Sequence, residues 1–260
     1  MNDVWALGDR YEPYVGRWSR AVAPLFVRWL DSAPRLRWVD VGCGTGALME
    51  AVLTLGDPAS VVGYEPSPEF AAWTEGRLTD PRARLVVGDA ASLAPGSADV
   101  VVSGLVVNFV AEPVAAVRSM AATAPGGTVA AYVWDYAEGM QLIRRFWDVA
   151  VALDPAAAPL DEAVRFPDCH PEGLAGVWTS AGLENVATTA FEVPTVFTDF
   201  DDLWSPFLGG QGPAPGYVMG LEPSTRDRLR DALRDALPAG PDGAVALTAR
   251  AYAVRGTSAG

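Results

Sequence analysis

The chain contains no lysine, and all 19 of its basic residues are arginine. This excludes a P-loop lysine, a Schiff-base lysine and a Tyr-x-x-x-Lys dyad. A single histidine, His170, limits imidazole chemistry to one position. Two cysteines, Cys43 and Cys169, form no disulfide framework. The adjacent Asp168, Cys169 and His170 cannot readily converge on one ion, and no second cluster of His or Cys exists, so no metal site is expected. No apolar run approaches the ~20 residues that span a bilayer. The opening "MNDVWALGDRYEP" has acids but no basic or apolar region of the secretory kind, so a cytoplasmic protein without a membrane partner is expected. Basic charge is scarce. Against 32 acidic residues it leaves a net charge of -13, which argues against a nucleic-acid partner.

Half of the 260 residues are hydrophobic and 20% are charged, ample for a packed core. Residues 19–31 place Val22, Leu25, Phe26, Trp29 and Leu30 at helical spacing, with Ser19 as a cap. Short β-branched runs then alternate with helical stretches. Strands are expected at 37–41, 60–65, 83–88, 98–107 and 128–134, with helices from about Gly46 and Ser67 and over 113–123. Runs apolar on both faces that alternate with helices imply a parallel sheet covered on both sides. Further on, helices are expected over about 139–152 and 171–181, a strand over 184–197, a charged helix over 224–237 and a final alternating strand. The Gly/Pro-rich stretch at 209–216 reads as irregular. The fold class is α/β: a doubly wound, mostly parallel seven-stranded sheet, its last strand antiparallel, with a small helical and loop cap from about 136–182 and 198–223. The expected divisions are an N-terminal helical lid segment at 1–34, a ligand-binding core at 35–135 and the remainder of the sheet with its cap at 136–260.

The stretch "RLRWVDVGCGTGALMEAV" places Gly42, Gly44 and Gly46 after a buried strand and at a helix start. Such a turn is a nucleotide cradle. One glycine allows the tight turn, the next lets a ligand reach the backbone, and free helix N–H groups attract polar ligand atoms. Gly42-x-Gly44-x-x-Ala47 also satisfies a looser dinucleotide fingerprint, so the loop by itself does not separate NAD from another adenosyl ligand.

Over residues 35–135, "VDVGCGTGAL", "GYEPSPEF", "VVGDAASL", "ADVVVSGLVVNFV" and "APGGTVAAYVW" follow in order. In this order they resemble the class I S-adenosylmethionine-dependent methyltransferases, and more loosely the small-molecule type 11 group, which also has a segment like "YEPYVGRWSR". The resemblance implies a Rossmann-like methyltransferase fold and S-adenosylmethionine as cofactor, with S-adenosylhomocysteine as product. It implies that Asp40 orients the methionyl ammonium, that the backbone of Gly42, Cys43, Gly44 and Gly46 carries the cofactor, and that Glu65, followed by Pro66, accepts the ribose hydroxyls. Asp89, with Ala90, would meet the adenine, and Ser103 and Leu105 would pass under the methionine part. Tyr11, Tyr14, Arg17 and Trp18 are candidates to close over the cofactor, Arg17 at its carboxylate.

Methyl transfer needs an in-line approach, so positioning supplies most of the acceleration. A base is required where the acceptor is a hydroxyl. His170 and Asp135 are the candidate bases, Tyr136 lies beside the second, and Asn108 could orient the acceptor. The cap aromatics Trp147, Phe166, Trp178, Trp204, Phe207 and Tyr217 suit an apolar or aromatic small molecule, although core packing uses the same residues. The expected activity is methyl transfer to a small-molecule hydroxyl. An NAD(P)-dependent oxidoreductase and a non-catalytic binding protein on the same fold are the alternatives.

Overall fold

A computed structural model of the protein describes residues 12–210, 212–238, 240 and 242–260. Seven strands form one sheet in the order β3-β2-β1-β4-β5-β7-β6. They are β1 (Arg37–Val41), β2 (Ser60–Glu65), β3 (Ala83–Val87), β4 (Val100–Gly104), β5 (Thr128–Trp134), β6 (Glu184–Phe197) and β7 (Val245–Thr257). The helices are α1 (Arg17–Leu30), α2 (Ala47–Leu55), α3 (Pro68–Glu75), α4 (Pro113–Thr123), α5 (Gln141–Leu153), α6 (Glu162–Arg165), α7 (Pro171–Ser180), α8 (Phe200–Trp204), α9 (Pro213–Gly220) and α10 (Pro223–Ala236).

The first five strands are parallel, with Asp40 of β1 in register with Gly63 of β2 and Val102 of β4. Strand β7 runs the other way. Ser258 donates to the Gly127 carbonyl before β5, while Asp135, just after β5, donates to Arg250, so one number rises as the other falls. The central strands β1, β4 and β5 are buried nearly throughout. This is why they read as continuous apolar runs rather than alternating ones.

The chain divides into two compact units. Unit 1 comprises Met1–Trp18, Trp134–Pro167 and Glu192–Arg250; unit 2 comprises Ser19–Val133, Asp168–Phe191 and Ala251–Gly260. In unit 2, Phe26 of α1 packs on Tyr132 of β5 at 4.9 Å between ring centroids, and the Trp178 indole of α7 donates to the Val129 carbonyl at 2.9 Å. Unit 1 has an aromatic core. Its Phe146 stacks on Phe207 at 4.7 Å and meets Trp147 edge-on at 5.1 Å.

Three local expectations are corrected. Ser19 is not a cap, because α1 begins at Arg17 after a π-type turn over Glu12–Gly16. Strand β4 stops at Gly104 although the apolar run continues, because Leu105 takes a left-handed φ of 63° that no strand accommodates. Residues 213–220 are helical despite their glycine and proline. Pro213 and Pro215 lie in the first turn, whose N–H groups need no partner.

Candidate active site

The glycine loop follows β1 directly and is held from the next strand. Gly42 and Cys43 both donate to the Tyr64 carbonyl of β2, at 2.8 and 3.1 Å, and the Thr74 hydroxyl of α3 donates to the Gly44 carbonyl at 2.7 Å. Gly42 has φ 73°, and a Cβ there would lie 2.6 Å from Val106, so no side chain fits. Gly44 has φ 51° and nothing within 4 Å of the place a Cβ would take. Bare main chain therefore faces open space at the middle of the turn. Cys43 contributes backbone only. Its thiol is buried, burial pushes its pKa far up, and its sulfur would lie 2.7 Å from a Cβ on Gly63.

Glu65 closes this loop from the end of β2. Its two carboxylate oxygens accept the Gly44 N–H and the Ser67 N–H, each at 2.9 Å. Burial raises its pKa, and those two amides partly offset the rise. Pro66, between them, is exposed. Asp40 is 1% exposed and neither of its oxygens has a hydrogen-bond partner. Desolvation, then the neighbouring Glu65 charge, push its carboxyl up to about 8. A buried acid without a donor costs free energy that only an arriving donor recovers.

The other core residues divide. Ser103 is buried and donates to the Val41 carbonyl at 2.8 Å, tying β4 to the strand end that carries the glycines. Leu105 donates its amide to Tyr132 at 2.8 Å from its left-handed backbone. Beyond it the Asn108 carboxamide is buried with both of its polar atoms unpartnered. Asp89 is exposed and caps the 3-10 turn Ala90–Ser92, accepting the Ala91 amide at 2.9 Å and the Ser92 hydroxyl at 3.3 Å through one oxygen.

In unit 1, Arg17 pairs with Asp202 at 3.3 Å and lies over the rings of Trp18 and Phe197 at 4.8 and 4.7 Å, while its Nε and Nη2 have no partner. Trp18 meets Phe197 edge-on at 5.2 Å. Tyr14 is buried with an unpartnered hydroxyl, and Tyr11 lies outside the described residues.

The two candidate bases are both engaged. Asp135 is 2% exposed, and one oxygen takes Arg250 Nη2 at 2.5 Å and Nε at 2.7 Å while the other accepts the Glu138 amide at 3.1 Å. Removing it takes away the closer of two carboxylates on a half-buried guanidinium, Glu138 being the other at 3.4 Å: Asp135→Ala is expected to lower unfolding stability by about 2 kcal/mol in urea denaturation. His170 is an exposed N-cap. Its Nδ1 accepts the Gly173 amide of α7 at 3.3 Å and lies 3.0 Å from Glu172, whose pKa it lowers. Tyr136 is buried against Phe166 at 5.6 Å. The sequence reading missed Glu162, a buried acid that accepts the Trp147 indole N–H. Among the described residues no group of three or more His, Cys, Asp or Glu could hold a metal ion, and no helix is long and apolar enough to cross a membrane.

Residues 39–131 match the family model described as "Methyltransferase domain", of the type 11 group. No curated protein matches the chain. Among solved structures, the YcgJ protein of Bacillus subtilis is 14% identical with a TM-score of 0.58, over 94% of this chain and 99% of that one. Phosphoethanolamine N-methyltransferase 2 of Haemonchus contortus was solved with phosphomonomethylethanolamine and S-adenosylhomocysteine. It is 15% identical with a TM-score of 0.56, over 94% of this chain and 53% of that one. A second structure of that enzyme holds S-adenosyl-L-methionine, with a TM-score of 0.55 at 15% identity over the same shares. At these identities the likeness is one of fold. The matched segment contains the β1 glycine turn, Glu65 and Ser103, and over residues 39–131 the chain is similar to that methyltransferase domain.

Proposed function

We propose that the protein transfers a methyl group from S-adenosylmethionine to the hydroxyl oxygen of a small molecule in the cytoplasm. The observation that carries the cofactor part is Asp40, a buried acid with two unpartnered oxygens on the strand that ends in the glycine turn. A ligand with an ammonium supplies the missing donor, and the open backbone at Gly44 admits it. Glu65 presents its remaining lone pairs to the ribose hydroxyls while its amide bonds keep the carboxylate fixed. The loop backbone of Gly42, Cys43 and Gly46 and the strand ends at Ser103 and Leu105 line the methionine side. Asp89 and Ala90 take the adenine, Asp89 through the oxygen not used in its turn. In unit 1, the two unpartnered guanidinium nitrogens of Arg17 suit a carboxylate.

When bound, the cofactor supplies an activated methyl group and its own leaving group. The chain's task is to hold acceptor and methyl in line and to exclude water. A hydroxyl must also lose its proton. Asp135 is committed to Arg250, which leaves His170: in the tautomer whose Nδ1 donates to Glu172, 3.0 Å away, its Nε2 is the nitrogen that takes the proton. The two free cysteines suit a reducing compartment.

Calorimetric titration tests the reading. S-adenosylhomocysteine is expected to bind with a micromolar or lower dissociation constant and NADH not at all. Tight binding of NADH without S-adenosylhomocysteine would favour the oxidoreductase alternative and end this one.

A further inference from the structure

Within unit 2 the sheet order β3-β2-β1-β4-β5 reverses between β1 and β4, since the chain leaves β1 toward β2 and leaves β4 toward β5. In open α/β sheets, ligands bind outside the carboxyl ends of the strands at such a reversal. Asp40 of β1 is level with Val102 of β4, so the glycine turn and the residues that follow β4 stand side by side there. The second segment is fixed on both sides. Val106 would lie 2.6 Å from a Cβ on Gly42, the Leu105 amide donates to the Tyr132 carbonyl at 2.8 Å, and the Phe109 amide donates to the Val106 carbonyl at 2.8 Å. Leu105 is buried with its φ of 63°, a conformation that costs a side-chain-bearing residue free energy and that clusters at functional sites.

Asn108 is carried on the 3-10 turn Val107–Phe109 that comes next. Its Oδ1 and Nδ2 are both covered, and neither has a hydrogen-bond partner among the described residues. A carboxamide left in this way costs free energy at each end. The residue as a whole is half-buried, as are Gly104 and Val106, so this side of the turn can be reached from solvent.

We propose that Asn108 is a specificity-determining residue for the methyl acceptor, and that it reads a planar donor–acceptor edge, the cis-amide edge of a lactam, an imide or a related heterocycle. The inference rests on the methyl-transfer reading for the ligand's role, but not for its chemistry. A carboxamide presents one acceptor and one donor side by side. A lactam answers both at once, its N–H to Oδ1 and its carbonyl to Nδ2, and a half-turn of the Asn108 amide reads the same pair in reverse. A ketone or an ether answers one end and leaves the other stranded. This edge is a separate feature of the acceptor from the hydroxyl that takes the methyl group. In the proposed cofactor pose the ammonium meets Asp40. The adenine meets Asp89, which follows β3, on the far side of β1 from β4.

The test is calorimetric titration of the full chain with δ-valerolactam and with cyclohexanone, rings of one size that differ by the amide N–H, with and without S-adenosylhomocysteine. The lactam is expected to bind about tenfold more tightly than the ketone. Asn108→Leu, which keeps the volume and removes both polar ends, should bring the two probes to equal affinity. It should leave S-adenosylhomocysteine binding within about threefold of the parent. Should that variant not fold, Asn108→Asp reads the same position: with two acceptors and no donor, it should prefer the corresponding cyclic amidine to the lactam, reversing the order of the parent. Equal affinity of the parent for lactam and ketone, no binding of the lactam, or a preference that survives Asn108→Leu would overturn the proposal. So would a loss of S-adenosylhomocysteine affinity of about tenfold in that variant, which would assign the carboxamide to the cofactor. Failure of S-adenosylhomocysteine to bind the parent would instead sink the methyl-transfer reading, and the lactam preference measured without it would still decide the chemistry of Asn108.

Discussion

Glu65→Ala is expected to weaken S-adenosylhomocysteine binding by about 1,000-fold, some 4 kcal/mol, in a calorimetric titration at pH 7. Two losses combine. The variant removes the acceptor of the Gly44 and Ser67 amides, so the open turn loses the group that sets its shape. It also removes the carboxylate proposed to meet the sugar, and charge-assisted hydrogen bonds contribute about 1.5–3 kcal/mol each. Glu65→Gln separates the two. Its amide oxygen can keep one of the loop bonds but carries no charge, so an intermediate loss of affinity is expected. An alanine variant that binds within threefold of the parent would show that Glu65 holds the loop and nothing else.

The second large effect is on pH. Asp40 has its carboxyl pushed up to about 8 by burial and by the Glu65 charge. If its charged form meets the ligand's ammonium, binding must release the Asp40 proton. Affinity for S-adenosylhomocysteine should then rise about tenfold per pH unit from pH 5 toward 8, and level off above it. Asp40→Asn should bind weakly with little slope across that window.

The same shift has a stability sign. A carboxyl whose folded value is raised keeps its proton after the unfolded chain has lost it, so unfolding releases a proton. The contribution is complete below the ordinary carboxylate range and is lost as pH rises through about 8. Glu162 titrates in the same direction to about 8. The ligand-free protein should therefore melt at a higher temperature at pH 5.5 than at pH 8. Each of the two acids contributes a slope of about 1.4 kcal/mol per unit, and Asp40→Asn and Glu162→Gln should each flatten it. A melting temperature that is flat or rising over this range, with both acids intact, would contradict the burial argument.

The strands were legible where burial is two-sided. The runs 37–41, 60–65 and 128–134 are the bounds of β1, β2 and β5, since a parallel strand covered on both faces leaves a compact apolar block with turn residues at its ends. The reading failed where conformation rather than hydrophobicity decides. Nothing in "SGLVVNFV" announces that Leu105 turns left-handed, and prolines at 213 and 215 read as breakers when they are starters. At the site, the three glycines and Glu65 carry positional signals. That Glu65 bonds the glycine turn itself is a tertiary fact with no signature in one chain. Glu162 was invisible for a related reason. An acid in "PLDEAVRF" reads as loop surface, and its burial is decided by Trp147, on a helix that precedes it in the sequence.

The position of β7 between β5 and β6 has a consequence for synthesis. Residues 184–197 leave the ribosome well before residues 245–257, the neighbour they pair with, have been made. Until then a 14-residue ribbon has no seat in the sheet and presents open amides and carbonyls along its length. Pro194 within it, and Glu184 and Glu192 along it, break the flat uncharged stretch that self-association needs. The order of assembly is thus core first, outer ribbon last, and the interval between them is the nascent protein's most vulnerable period for misassociation.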